Sequence, residues 1–218
     1  MWCIQKELDA AYRERMYDVL DLYEEPYDTR RPLVCLDEKP KQLLLDKRSP
    51  IPMRPGVPER YDYEYTRKGM ANIFVAIELK AGRRITQVTK RRTLMDFAIF
   101  VKMLVDEYGD VDVIRLVMDN LSTHKEKALI QAFGQDEAER IVDRVEFHFT
   151  PRHSSWLNAA EIEVSVMGTE CTDRRIGDVE TLAREVAAWT RRRNHEKKVI
   201  DWSFTKEKAD KRLSKYYV

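Results

Sequence analysis

The spacing of apolar and polar positions predicts an alternation of short strands and longer helices. Short runs rich in Val, Ile, Leu and Phe, bounded by polar or turn-forming residues, are typical of buried strands. The predicted strands are 33–37, 41–46, 72–79, 84–90, 113–118 and 145–149. Apolar residues that recur every three or four positions predict helices. The predicted helices are 4–23, 93–108, one starting at Thr123, one capped by Ser154 or Ser155, 178–193 and 205–216.

The order of these elements predicts a mixed sheet. The early strands can pair through hairpins, and Ala81 with Gly82 supplies a turn between two of them. Helical crossovers separate the strands at 113–118 and 145–149, which favours parallel neighbours. The loop 47–69 holds four prolines, and a loop of that length is usually functional or mobile. The predicted fold class is therefore α/β, a mixed sheet flanked by helices.

Composition excludes several classes of protein. The 218 residues suffice for one sizeable domain, and a net charge of +1 means that any basic surface is local. Cys3, Cys35 and Cys171 are far apart, so a zinc site or a disulfide framework is not expected, and a reducing, cytosolic setting fits best. No segment resembles a signal peptide, and no apolar run approaches the ~20 residues that span a bilayer. We expect a soluble chain with no membrane partner.

Three acidic residues occupy positions where a charge needs a partner. Asp37 and Asp119 each follow an apolar run, and Glu161 lies on the helix after the strand 145–149. An acid at the end of a buried strand is costly unless a cation meets it there. We therefore expect these carboxylates to share one site that holds divalent metal.

Helical geometry separates Glu161 from Glu163. Ser154, Asn158 and Glu161 recur at intervals of three or four and would share one face of a helix. Two positions correspond to roughly 200° of rotation, so Glu163 would point elsewhere. We expect Glu161→Gln to be inactive and Glu163→Gln to keep most activity. Asn158 and Ser154 are expected to orient the metal ligands.

Carboxylate oxygens are ligands that suit Mg²⁺ or Mn²⁺. Two such ions ~3.5–4 Å apart can activate a water or a 3′-hydroxyl and stabilise the leaving oxygen of a phosphodiester. The expected cofactor is thus Mg²⁺ or Mn²⁺ in a two-metal site.

Three motifs make the resemblance to a family specific. They are Leu-Asp-Glu-Lys at 36–39, Met-Asp-Asn-Leu-Ser-Thr-His at 118–124, and Thr-Pro-Arg-His-Ser-Ser-Trp-Leu-Asn-Ala-Ala-Glu-Ile-Glu at 150–163. The chain resembles the catalytic domain of insertion sequence 630 type transposases, in the Tc–mariner superfamily. That resemblance implies a ribonuclease-H-like fold, Asp37, Asp119 and Glu161 as the Asp-Asp-Glu triad, and insertion at a TA dinucleotide. It covers roughly residues 1–216 and includes the segments 62–69, 193–194 and 202–205.

The resemblance also predicts the domain organisation. Full-length relatives carry helix-turn-helix DNA-binding domains before the catalytic domain, whereas residues 1–31 here read as one helix and a linker. We expect residues 32–218 to form the catalytic domain with its closing helices, without the helix-turn-helix domains. The implied partners are double-stranded DNA and a second copy or a full-length transposase, with no small-molecule substrate. The implied location is the bacterial cytoplasm, at the nucleoid.

Further residues are candidates for supporting or DNA-contacting roles. Asn120 either forms a turn or orients a metal-bound water, and His124 and His153 either bond locally or contact the site or phosphate. Trp156 either packs in the core or stacks on a base. Basic runs, including 83–84 and 191–193, are candidates for phosphate contact. The individual candidates for DNA binding are Lys39, Arg67, Lys68, Arg91, Arg92, Arg152, Trp156, Arg174 and Arg175.

The expected activity is metal-dependent cleavage of a DNA strand followed by transfer of its 3′-hydroxyl to target DNA. One alternative is a ribonuclease-H-like nuclease or resolvase that only hydrolyses. Another is a truncated regulatory protein that binds DNA or a full-length transposase and no longer cuts.

Overall fold

A computed structural model describes residues 7–119 and 126–218 of the chain. Five strands form one sheet: β1 Leu33–Asp46, β2 Tyr65–Glu78, β3 Arg83–Thr89, β4 Ile114–Met118 and β5 Val145–Phe149. The α-helices of the described residues are α1 Ala10–Glu24, α2 Leu94–Glu107, α3 Glu126–Phe133, α4 Gln135–Val142, α5 Ala160–Met167, α6 Val179–His195 and α7 Lys206–Leu213. No described helix combines the length and the apolar character needed to cross a membrane.

The sheet is mixed, with the strand order β3-β2-β1-β4-β5. β1 pairs antiparallel with β2, and β2 with β3, whereas β1, β4 and β5 run parallel. The predicted turn at Gly82 joins β2 to β3. It requires glycine, because its φ is 65° and a Cβ there would lie 2.7 Å from the Lys197 carbonyl carbon. The predicted mixed sheet flanked by helices is thereby confirmed.

The long hairpin of β1 and β2 differs from the prediction. Residues 33–37 and 41–46 form one continuous strand, and β2 begins at Tyr65, which shortens the proline-rich loop to 47–64. Pro40 is tolerated inside β1 because β4 pairs with β1 only from Leu33 to Cys35. Beyond Cys35 no described strand pairs with that side of β1, and proline occurs in sheets mainly where one side of the strand is unpaired.

Alternate residues of the central strand bury opposite faces of the sheet. Val34 and Leu36 join the core that α2 covers, whereas Leu33 and Cys35 join the core beneath α1. A third cluster packs α6 and the end of α5 against β2. Because strand side chains alternate in direction, β1 is covered by helices on both faces.

The helix starts agree with the prediction at three places and differ at two. The first helix, predicted from residue 4, begins at Ala10, where Asp9 caps it. Thr93 and Asp96 form a capping box on α2, and Asp178 and Thr205 cap α6 and α7. Neither Ser154 nor Ser155 caps an α-helix, because a 3₁₀ turn intervenes at Ser155–Leu157 and α5 starts later. The predicted capping box of Thr123 with Glu126 lies outside the described residues.

Candidate active site

The three acidic residues are placed by three different elements. Asp37 lies inside β1, just beyond its pairing with β4, and not at a strand end as predicted. Asp119 follows the last residue of β4 directly, and Glu161 is in the first turn of α5. The negative charges of Asp119 and Glu161 raise the pKa of the Asp37 carboxyl, and the charge of Glu161 raises the pKa of the Asp119 carboxyl.

Burial dominates the electrostatics of Asp37. Burial raises the pKa of its carboxyl from 3.8 to about 7, although the Glu38 amide donates to Oδ1 at 2.7 Å and opposes the shift. The charges of Asp119, Glu161 and Glu38 raise this pKa further. Asp37 forms no ion pair with any described residue. A half-buried acid crowded by like charges is a position that favours a bound cation.

Asp119 is held by two polar neighbours. Burial raises the pKa of its carboxyl, and the negative charge of Glu161 acts in the same direction. The Thr150 hydroxyl donates to Oδ1 at 3.2 Å, and Asn158 hydrogen-bonds to the same carboxyl; both bonds lower the pKa. The orientation of the Asp119 carboxyl is therefore fixed by Thr150, which follows β5, and by Asn158, which precedes α5.

Asn158 joins the elements that carry the three acids. Its side chain is fully buried, donates from Nδ2 to the Leu36 carbonyl at 2.8 Å, and accepts from the Ala160 amide at 3.1 Å. One amide thus links the backbone of β1 beside Asp37, the carboxyl of Asp119 and the start of α5. That Asn158 orients the acids stays a prediction, and the structure gives this residue a structural role as well.

The three carboxylates are electrostatically coupled but not gathered around one point. Over residues 7–119 and 126–218, no group of three or more His, Cys, Asp or Glu side chains is arranged to hold a metal ion. Coupling through charge acts over longer distances than coordination does, so the two observations are compatible. The donor set itself, carboxylates without a cationic partner among the described residues, fits Mg²⁺ or Mn²⁺.

Glu163 points away from Glu161, as the helix geometry predicted. Its carboxylate is fully buried and binds the buried Arg84 through two bonds, from Nε at 2.7 Å and from Nη2 at 3.0 Å. Arg193 of α6 adds two more bonds, from Nε at 3.2 Å and from Nη2 at 3.4 Å. That Glu163→Gln keeps most activity stays a prediction. The structure adds that the change should cost stability, because it would leave the charge of Arg84 buried without a counter-charge.

Several predicted supporting residues have other roles or are not described. Ser154 is buried and its hydroxyl lies 2.6 Å from that of Tyr12, so it ties the turn before α5 to α1 and does not orient the acids. His153 is exposed with a φ of 59°. Asn120 and His124 lie outside the described residues.

Many of the arginines expected to contact DNA already have partners. Arg84 is buried against Glu163, and Arg174 binds Glu185 at 2.6 Å. Arg175 binds Asp46 at 2.5 Å and donates to backbone carbonyls of the proline-rich loop, so it anchors that loop. Arg92 lies 3.1 Å from Glu38. Some of the basic side chains predicted to contact DNA have no acidic partner among the described residues. They are Lys39, Arg67, Lys68, Arg91 and Arg152.

Two contributors to the site were missed from the sequence. Thr150 is buried and binds Asp119, and the Tyr23 hydroxyl donates to the Leu157 carbonyl at 2.8 Å while it accepts from the Ala159 amide at 3.1 Å. Thr150 opens the motif that contains Glu161, so its position offered a signal. Tyr23 comes from α1, and only the tertiary contact reveals its role.

Residues 32–183 match the family described as DDE superfamily endonuclease. Because that match spans more than half of the chain, the chain belongs to this family. No curated protein matches the sequence.

Solved structures of a transposase share the fold. The Mos1 transposase paired-end complex with the left transposon end has a TM-score of 0.55 at 17% identity, covering 90% of this chain and 61% of the Mos1 chain. The Mos1 mariner paired-end complex with Mn also has a TM-score of 0.55, at 16% identity, covering 90% of this chain and 62% of that one. The likeness shows the ribonuclease-H-like fold predicted from the motifs. This chain spans about three-fifths of the length of the Mos1 chains it matches.

Proposed function

We propose that this chain is the catalytic domain of an insertion sequence 630 type transposase, which cleaves DNA with divalent metal and transfers the freed 3′-end. The observation that carries the proposal is that the charges of Asp37, Asp119 and Glu161 act on one another while Asn158 links the elements that carry them. The motifs around these acids, membership of the DDE superfamily endonucleases and the transposase fold support it.

In this proposal Asp37, Asp119 and Glu161 hold Mg²⁺ or Mn²⁺. When bound, such ions activate the attacking oxygen and stabilise the leaving oxygen of a phosphodiester. The protein orients the carboxylates. Asn158 and Thr150 hold the carboxyl of Asp119, and Asn158 also binds the carbonyl of Leu36, the residue before Asp37. Full burial of Asn158 keeps this scaffold rigid, which is what positioning of ligands requires.

The test is a cleavage and joining assay with the purified chain. Supercoiled plasmid should be nicked in Mn²⁺ and, more slowly, in Mg²⁺, and EDTA should stop the reaction. An oligonucleotide with a free 3′-hydroxyl should become joined to the plasmid. Nicking without joining would favour the hydrolytic nuclease, and no nicking in either metal would favour the regulatory alternative.

Metal binding should depend on pH through Asp37. Its folded pKa of about 7 lies above the ordinary 3.8, so the folded chain keeps a proton that the unfolded chain has lost. Without metal, the free energy of unfolding should therefore fall as pH rises from about 4 to 7. Because a metal ion must displace this proton, the increase in melting temperature caused by Mn²⁺ should grow over the same range.

Melting curves with and without Mn²⁺ from pH 5 to 8 measure this effect. Asp37→Asn should remove the pH dependence, and Asp136→Asn, which changes an exposed acid on α4, should retain it. A Mn²⁺ shift in the wild type that is constant across this range would contradict the assignment of Asp37.

DNA binding should depend on the cations that lack an acidic partner. Arg67 and Lys68 are exposed on β2 without an ion pair among the described residues. Each phosphate contact adds ~0.9 to the slope of log affinity against log salt. Replacing both residues by Ala should weaken binding to all duplexes equally and reduce the slope by roughly 2.

Arg174→Ala is the matched control, because the charge of Arg174 is already paired with Glu185. Binding across a salt series should show little change in slope for this variant. An equal loss of slope in both variants would mean that the Arg174 pair opens on DNA.

A further inference from the structure

Lys39 of β1 lies against the end of α5. It comes two positions after Asp37, so both side chains point to the same face of the sheet. Its ammonium nitrogen lies 3.3 Å from the position that a Cβ on Gly168 would occupy. Gly168 has ordinary helical angles, with a φ of −50° and a ψ of −61°. Glycine is therefore suited to this position because it leaves room for Lys39, and not because of its backbone conformation.

One side of α5 connects the acidic residues to this lysine. Glu161, Ser165 and Gly168 recur at intervals of four and three positions, so they share one side of the helix. Glu161 is half-buried and Ser165 is exposed, which leaves this side open to solvent. Seven residues of helix span ~10 Å. The ammonium of Lys39 therefore lies about that far along the helix from Glu161.

The helix changes its winding where Lys39 meets it. α5 ends at Met167, and Gly168–Thr172 continue as a π-helical turn. Such turns are rare and occur frequently at functional sites. This end of α5 is therefore a candidate for a functional role that the three acids do not account for.

Lys39 differs from the next lysine on the same face of β1. The ammonium of Lys41 donates to the carbonyl oxygens of Thr172 at 2.5 Å and of Arg174 at 2.9 Å, so it ties β1 to the segment after α5. Lys39 forms no hydrogen bond or ion pair with any described residue. An ammonium group donates three hydrogen bonds and binds phosphate as a point charge. Lys39 is therefore available to a ligand, whereas Lys41 is already bound.

We infer that Lys39 binds a phosphate of the DNA strand that ends in the reacting 3′-oxygen, and so holds that strand along α5. The inference rests on the proposed function for its ligand. DNA rises ~3.4 Å per nucleotide along each strand, so ~10 Å of helix places this phosphate within about three nucleotides of the acids. The strand with the 3′-oxygen takes part in both cleavage and joining, and a contact away from the reacting atoms would hold it through both steps.

The test uses oligonucleotides that each carry one uncharged methylphosphonate, at the first, second, third or fourth linkage from a free 3′-hydroxyl. In the joining assay with Mn²⁺, one of these linkages should slow the wild type roughly tenfold, because a charge-assisted bond is lost. Lys39→Ala should join the unmodified oligonucleotide more slowly by a similar factor and be insensitive to that linkage, since both changes remove the same contact. Lys39→Arg should restore most of the rate, and Lys41→Ala should keep the wild-type sensitivity.

Binding measured in EDTA tests the same contact without chemistry. Lys39→Ala should reduce the slope of log affinity against log salt by about 0.9, the contribution of one phosphate contact, and Lys41→Ala should leave the slope unchanged. Equal joining of all four modified oligonucleotides by the wild type, or an unchanged slope for Lys39→Ala, would overturn the inference. A wild type that joins no DNA, but whose slope depends on Lys39, would contradict the proposed function alone.

Discussion

Asp119→Asn is expected to abolish Mn²⁺-dependent nicking while the chain stays folded. Loss of a carboxylate that holds the metal removes several kcal/mol of transition-state stabilisation, and ~4 kcal/mol corresponds to roughly a thousandfold in rate. The side chain keeps its shape, so the Thr150 hydroxyl retains an acceptor. Burial raises the pKa of the Asp119 carboxyl, so the neutral amide should leave the metal-free melting temperature unchanged or higher.

The rate of plasmid nicking and the melting temperature must be measured together. Asp136→Asn removes one exposed acid on α4 and should nick at the wild-type rate. If Asp119→Asn nicks normally, Asp119 does not hold the metal. If it fails to nick and also melts early, the loss reflects folding, and Asp37→Asn becomes the decisive variant.

Glu163→Gln is expected to be the most destabilising single change at this site, although Glu163 takes no part in the proposed chemistry. The change leaves the Arg84 guanidinium buried without a counter-charge, and breaking a buried pair costs ~3–5 kcal/mol. Arg193 loses part of its partner too, so α6 and β3 are both loosened from α5. Urea unfolding should show a lower midpoint for this variant.

Glu161→Gln is the matched control, two positions along the same helix. Glu161 is half-buried and has no ion-pair partner among the described residues, so its unfolding midpoint should match the wild type while nicking is lost. Replacing Arg84 and Glu163 together by Met removes both charges and should recover part of the stability. A Glu163→Gln chain as stable as the wild type would show that Arg84 finds another partner.

The sequence determined the elements and most of their order. Apolar runs and helical periodicity depend on local spacing, so β3, β4, β5 and the helices α2 and α6 were predicted near their observed bounds. The motifs around Asp37, Asp119 and Glu161 were sufficient to predict a DDE-type family and the fold, both of which are confirmed, whereas the insertion sequence 630 type stays a prediction. Helix geometry alone also separated Glu161 from Glu163, because the rotation per residue is a local property.

Only the tertiary structure decided which charged side chains form ion pairs and which do not. In the sequence, Arg84, Arg174 and Arg175 belong to basic runs. Their acidic partners come from other elements of the fold and are Glu163, Glu185 and Asp46, respectively. The same holds for Ser154, whose partner Tyr12 comes from α1, and for the continuity of β1 through Pro40. Local spacing determines where a side chain points on its own element, whereas ion pairs, burial and edge positions depend on what the rest of the fold brings against it.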